Sequence, residues 1–172
     1  MVITGTSRGI GKYLATYYAE KGFTVIGCSR KPLEYQTNEN YHHFCLDVHD
    51  EKKVKELFSF IRKTFGRLDI LINNAGIASM NHSLLTPLST VEKILNTNIA
   101  GTFLFCREST KLMKKFLFGR IINFSTIAVP IKLEGEAIYA SSKGAVNTLS
   151  QILAREYSSY GITVNVIAPT LV

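Results

Sequence analysis

Short β-branched runs alternate along the chain with longer segments of helical period, the pattern of a parallel α/β sheet. Val2–Thr4 reads as a first strand, followed by a glycine-rich turn and a helix from Ile10 to Lys21 that Gly22 stops. Phe23–Cys28 predicts a second strand, and Lys31–Asn40, with a proline and two asparagines, predicts a loop. Tyr41–Leu46 is a third strand. Asp50 is placed to cap a helix whose apolar stripe is Val54, Leu57, Phe58 and Ile61, and Gly66 ends it. Leu68–Ile72 predicts a fourth strand running into Asn73-Asn74-Ala75-Gly76. Residues Ile77–Thr86 read as an exposed loop, with Pro87 placed to open a long helix reaching Phe116. Arg120–Phe124 is a fifth strand, Ala137–Tyr160 a helix stopped by Gly161, and Ile162–Ile167 a sixth strand. No internal repeat and no low-complexity tract interrupts the pattern.

The 172 residues fit one domain, 1–172, and with 46% hydrophobic and 19% charged residues a packed core is expected rather than disorder. The net charge of +7 suits an anionic ligand. Nucleic acid is the competing anionic partner, but no basic-aromatic stripe supports it, and none is expected. Lys52-Lys53 and Lys114-Lys115 read as solvated helix faces. Cys28, Cys45 and Cys106 are odd in number and lack a CxxC spacing, which argues against a disulfide framework or structural zinc and for a reducing compartment. His42 and His43 are adjacent, so on a strand they face opposite ways, and no metal site is expected. Apolar runs such as Ile70–Ile72 are too short to span a bilayer, and the chain opens directly on its first strand. The expectation is a soluble, cytoplasmic protein without a membrane partner.

Two constellations carry chemistry. Gly5, Thr6, Ser7, Arg8, Gly9, Ile10 and Gly11 lie between the first strand and the first helix. Glycines there permit a tight turn and let a phosphate approach the backbone N–H groups at the helix start. The second is Tyr139-Ala140-Ser141-Ser142-Lys143, whose i, i+4 spacing puts Tyr139 and Lys143 on one helical face. A free tyrosine ionises near pH ~10 and is a poor acid or base near neutrality. An ammonium one turn away favours a phenolate. At the end of the second strand, Ser29-Arg30-Lys31 offers no carboxylate before Glu34 to take up ribose hydroxyls. Arg30 and Arg8 can instead pair with a 2′-phosphate, so NADP(H) is expected in preference to NAD(H).

Taken together, the ordered motifs resemble the short-chain dehydrogenase/reductase superfamily, and within it the 3-oxoacyl-carrier-protein reductases. Thr4–Gly11 matches the family's cofactor turn, Asn73–Gly76 its fourth-strand motif and Tyr139–Lys143 its Tyr-Lys pair. Leu46-Asp47-Val48, Asn98-Ile99-Ala100-Gly101 and Asn165–Pro169 also fall where the family places them. The resemblance spans essentially the whole chain. It implies a Rossmann-type, doubly wound parallel sheet and hydride transfer between a nicotinamide and a ketone or secondary alcohol.

By the same resemblance, Tyr139 would protonate the carbonyl oxygen or deprotonate the alcohol, and Lys143 would bind the nicotinamide ribose. Asn98 would hold a water linking Lys143 to solvent. Asn74, Ala75 and Gly76 would line the nicotinamide-side ribose, Asp47 would bond the adenine amino group beside Val48, and Pro169 joins the cofactor contacts. The family's catalytic serine, thirteen residues before the tyrosine, falls on Thr126, with Ser125 one place earlier. The family's seventh strand and substrate lid have no counterpart among these 172 residues. An idle nucleotide-binding or scaffolding relative is the alternative reading. The apolar helices carrying Val91, Ile94, Leu95, Ile99 and Phe103, and Val146, Leu149, Ile152 and Leu153, point to a homodimer or homotetramer.

Overall fold

The computed structural model describes residues 1–33 and 38–170. Six strands, β1 (Val2–Thr4), β2 (Val25–Ser29), β3 (Tyr41–Cys45), β4 (Ile70–Asn73), β5 (Gly119–Phe124) and β6 (Ile162–Ile167), form one sheet in the order β3-β2-β1-β4-β5-β6. Every neighbouring pair is parallel, with Ile3 opposite Gly27 and Ile72, and Asn73 opposite Asn123. Strand order reverses between β1 and β4, the place where open parallel sheets form a crevice at their carboxyl ends. The fold is therefore the expected Rossmann-type α/β architecture.

Helices cover both faces. Helix α1 (Gly9–Glu20) packs Ala15 and Ala19 against Ile3, Val25, Tyr41 and Ile72. The small alanines let helix and sheet approach closely. On the other face lie α2 (Glu51–Thr64), α3 (Leu88–Leu95), α4 (Gly101–Met113) and α6 (Ala137–Tyr157), after the short α5 (Ala128–Ile131). Helix α2 forms as the periodicity predicts: Asp50 accepts from the Lys53 N–H at 3.1 Å, and Val54, Leu57, Phe58 and Ile61 are buried. Phe58 meets Phe105 of α4 edge-on at 5.6 Å.

Several expected boundaries move. The helical run expected from Leu88 to Phe116 is unbroken but not uniform: a π-helical turn, Asn96–Ala100, lies between α3 and α4, and a 3-10 turn, Lys114–Phe116, ends it. A π turn accommodates one extra residue, a local irregularity that hydrophobic period alone does not reveal. The last helix stops at Tyr157 and continues as the 3-10 turn Ser158–Tyr160. The exposed loop Ile77–Thr86 contains the 3-10 turn Ser83–Leu85, and α5 follows β5 where no helix was expected. Strand β2 begins at Val25 because Phe23 is bonded to the end of α1 through Tyr18 O instead of a strand. Glu34, within the expected loop Lys31–Asn40, lies outside the described residues.

Candidate active site

Two cavities meet at the carboxyl ends of the strands. The first, about 290 Å³, is lined by Gly5, Ser7, Arg8, Gly9, Ser29, Arg30, Asp47, Val48, Asn74, Ala75 and Gly76 among others. The second, about 330 Å³, is lined by Ile10, Phe124, Ser125, Thr126, Tyr139, Lys143 and Pro169. Both include Asn74, Gly76 and Ile77 in their walls, so one elongated ligand can run from one into the other.

The glycine-rich turn has the shape an anionic group requires. Gly5 has φ +73°, and a Cβ there would come within 2.9 Å of both Ala75 Cα and the Asn74 amide nitrogen. Gly11 is buried against the Gly5 carbonyl and the same amide. Gly9 has φ +57° with open space where a side chain would stand. Helix α1 begins there with no side-chain cap and no acidic residue in its first turn, leaving its leading N–H groups and dipole directed at the cavity. A dinucleotide pyrophosphate fits this cradle.

Asn74 holds the turn in place. Its Nδ2 donates to Thr4 O at 3.0 Å and Gly5 O at 3.2 Å, while the Ala75 N–H donates to Thr4 Oγ1 at 2.9 Å. Thr6, expected among the cofactor contacts, is fully buried and does not line the cavity; its hydroxyl pairs with Tyr41 OH at 2.8 Å. Gly11 likewise packs behind the turn instead of facing the cavity. Ser29 Oγ donates to Lys31 O at 2.7 Å, and Arg30 and Arg8 are exposed at the cavity rim. Asp47 lines the cavity with one carboxylate oxygen bonded to the His49 imidazole at 2.9 Å. Ile77 and Thr97 are further wall residues that the motifs did not name; each adjoins a motif residue, the one signal available for them.

The Tyr139 end is organised from three elements. Asn98, buried within the π turn, accepts from the Ile77 N–H and donates to Ile77 O, both at 2.9 Å, and donates to Ser142 Oγ at 2.9 Å. Ser142 Oγ donates in turn to Tyr139 O at 2.7 Å. The π turn thus carries one polar side chain into contact with both the loop after β4 and the Tyr139 helix. Lys143 Nζ donates to Phe124 O at 2.7 Å. A Cβ on Gly76 would lie 3.2 Å from Lys143 Nζ and 3.4 Å from Asn98 Oδ1, so any side chain there would wedge between them. Both Ser125 and Thr126 line the cavity; Ser125 is buried with Oγ 3.5 Å from the Lys143 carbonyl, and Thr126 is half-buried. Thr126 Oγ1 accepts from the Ala128 N–H at 3.2 Å, which leaves its own proton to donate.

Burial lowers the Lys143 pKa to about 8. The unfolded chain protonates this amine up to about pH 10.5, so below pH 8 both states carry the charge and the burial penalty is fully present. Stability from this group rises as pH climbs from 8 to 10.5. The shift corresponds to roughly 3 kcal/mol at most. Replacing Lys143 by Met should therefore raise stability at pH 7 while removing turnover, and the advantage should shrink toward pH 10.5. Burial raises the pKa of Cys28 and of Cys106 to about 12, destabilising both variants alike in alkali, so the difference between them isolates the lysine. Urea titrations of both proteins from pH 7 to 10.5 measure it; a methionine variant less stable at pH 7 contradicts the argument.

Comparison with known proteins agrees with this geometry. The sequence profile of the family described as short chain dehydrogenase matches residues 1–172. The 3-oxoacyl-[acyl-carrier-protein] reductase FabG of Escherichia coli (strain K12) is 35% identical over 98% of this chain and 71% of its own length. D-threitol dehydrogenase of Mycolicibacterium smegmatis is 32% identical over 99% of this chain and 69% of its own. Among solved structures, ElxO with NADP bound superposes with a TM-score of 0.92 at 36% identity, covering 99% of this chain and 72% of that one. A 4-hydroxyisoleucine dehydrogenase complexed with NADH and succinate gives 0.89 at 27% identity, covering 99% and 78%. The chain belongs to the short chain dehydrogenase family of oxidoreductases.

Proposed function

We propose that the protein reduces a ketone, or oxidises the corresponding secondary alcohol, with NADP(H), using Tyr139 as the acid/base. One observation carries this reading: the cavity holding Tyr139, Lys143 and Thr126 shares Asn74, Gly76 and Ile77 in its walls with the cavity that holds the phosphate cradle. Bound across the two, a nicotinamide dinucleotide supplies the hydride. The chain's own groups handle the proton. Tyr139 delivers it to the carbonyl oxygen, and Lys143, buried without a carboxylate partner among the described residues, favours the phenolate that remains. A water held by Asn98 next to Lys143 would return the proton from solvent.

Thr126 donates a hydrogen bond to the carbonyl oxygen as negative charge grows on it. Arg30, with Arg8 across the rim, receives the 2′-phosphate; NADP in one similar structure supports this, and NADH in another makes the direct test necessary. The relatives' names favour a 3-oxoacyl or polyol-type substrate, and turnover of NADPH with acyl, sugar and steroid ketones tests the class. Ile94, Val146 and Leu153 are buried within the chain, but Leu88, Leu95, Phe103 and Ile152 remain exposed on α3, α4 and α6. A second copy of the chain covers them in a homodimer or homotetramer.

Three results are expected. Thr126→Ser should keep activity, Thr126→Val should lose about 10²–10³-fold in kcat, and Ser125→Ala should change little. All three should still bind NADPH; an inactive Ser125→Ala beside an active Thr126→Val reverses the assignment. Arg30→Ala should weaken NADPH binding by about 10–100-fold and leave NADH binding nearly unchanged, because the lost charge-assisted bond is worth roughly 1.5–3 kcal/mol. Equal binding of both cofactors by the unmodified protein would sink the NADP(H) preference. Light scattering at micromolar protein should give a dimer or tetramer mass, and a monomer mass counts against the oligomer.

A further inference from the structure

The segment that turns from the end of α4 into the start of β5 reads Lys114-Lys115-Phe116-Leu117-Phe118-Gly119-Arg120. At the level of sequence, its lysines pass for a solvated helix face. In the folded chain the three large apolar residues between the cations stand out of the surface: Phe116 is 46% exposed, Leu117 66% and Phe118 37%. Leu117 adopts the left-handed conformation with φ 47° and ψ 38°, a costly state for a non-glycine residue and one that makes it the tip of the turn.

The tip is held, not frayed. Gly161 packs against the Leu117 carbonyl so closely that any side chain there would collide with it. Arg120 Nη1 donates to Gly119 O at 2.7 Å and to Gly161 O at 3.2 Å, and its guanidinium lies 4.3 Å from the centre of the Phe118 ring. Arg67 stacks on Phe116 at 5.2 Å while pairing with Asp69 at 2.6 Å. Lys114 and Lys115 are exposed on the approach, and the seven-residue turn contains no acidic residue.

We propose that this turn is a peripheral contact for an anionic lipid surface, with Phe116, Leu117 and Phe118 entering the headgroup–acyl boundary and the flanking cations meeting lipid phosphates. Charge complementarity selects this occupant: cations ring the apolar tip, in a chain of net charge +7. Arginines and lysines beside aromatic rings keep their heads at the polar layer while the rings go deeper. A convex tip of on the order of 300 Å² falls well short of the roughly 800 Å² each partner gives to a stable protein interface. A substrate carrier docked here would face the wrong end of the sheet, since β5, about 17 Å long, separates the turn from the Tyr139 cavity. Among the described residues no helix is long and apolar enough to cross a membrane, so the contact lies on the surface of the bilayer.

Sedimentation with vesicles tests this. The unmodified protein should pellet with phosphatidylcholine vesicles containing roughly a third phosphatidylglycerol, weakly with pure phosphatidylcholine, and less as salt rises. Leu117→Asn suits the left-handed backbone, so it should melt no lower than the unmodified protein and keep its turnover, yet bind anionic vesicles about tenfold less. Lys114→Glu with Lys115→Glu should lose binding to a similar degree. No binding to anionic vesicles overturns the proposal. So does vesicle binding that Leu117→Asn leaves unchanged, which would mean charge alone, and so does retention on immobilised polyglutamate without vesicle binding, which would mean a soluble acidic partner.

Discussion

The hydrogen bonds from one side-chain amide set the geometry on which the cofactor cradle depends. Asn74 Nδ2 reaches back from the end of β4 to the carbonyls of Thr4 and Gly5, at 3.0 and 3.2 Å, and fixes the end of β1 against its neighbour. The amide can sit there because neither Gly5 nor Gly11 carries a side chain; a Cβ on either would occupy its place. The glycines of the turn therefore do two separate jobs. Gly9 leaves its outer side open toward a ligand, whereas Gly5 and Gly11 leave room for the clamp behind. A half-buried amide nitrogen with two acceptors has a partner for each of its protons, so the arrangement stabilises the crevice instead of straining it.

Polar groups deeper in the sheet follow the same rule. Asn73 donates to Asn123 Oδ1 at 2.9 Å across the β4–β5 register, and Asn123 donates to Ser150 Oγ on α6 at 2.8 Å. The chain of amides ties the two strands to the helix that carries Tyr139 and Lys143. Lys143 departs from that economy. Its amine donates to Phe124 O and is nearly all buried, so the folded protein holds a costly charge at the wall of the second cavity.

The site also depends on an irregularity. Had the helix from Leu88 to Met113 been regular, its one strip of side chains would have faced the sheet and α6 alike. The π turn at Asn96–Ala100 shifts the phase midway, so that Ile94 stays in the core while Asn98 bonds both Ile77 and Ser142. That single polar residue joins the loop after β4 to the Tyr139 helix, and no pattern of apolar spacing announces it.

Sequence alone determined the alternation of strands and helices, the parallel sheet and the motif residues at its carboxyl edge, because periodicity, glycine and the i, i+4 spacing are local constraints. It located the stripe of α2 residue by residue. What it did not reveal depends on contacts between segments far apart in the chain. Thr6 lies in the cofactor motif but turns inward, because the Tyr41 hydroxyl, thirty-five residues away, receives it and Gly27 leaves room for that ring. Lys114 and Lys115 looked like an ordinary solvated face until Gly161 and Arg120 set Leu117 at the tip of an apolar turn beside them. Burial, hydrogen-bond partner and exposure are properties of the packed chain, and only the tertiary structure assigns them.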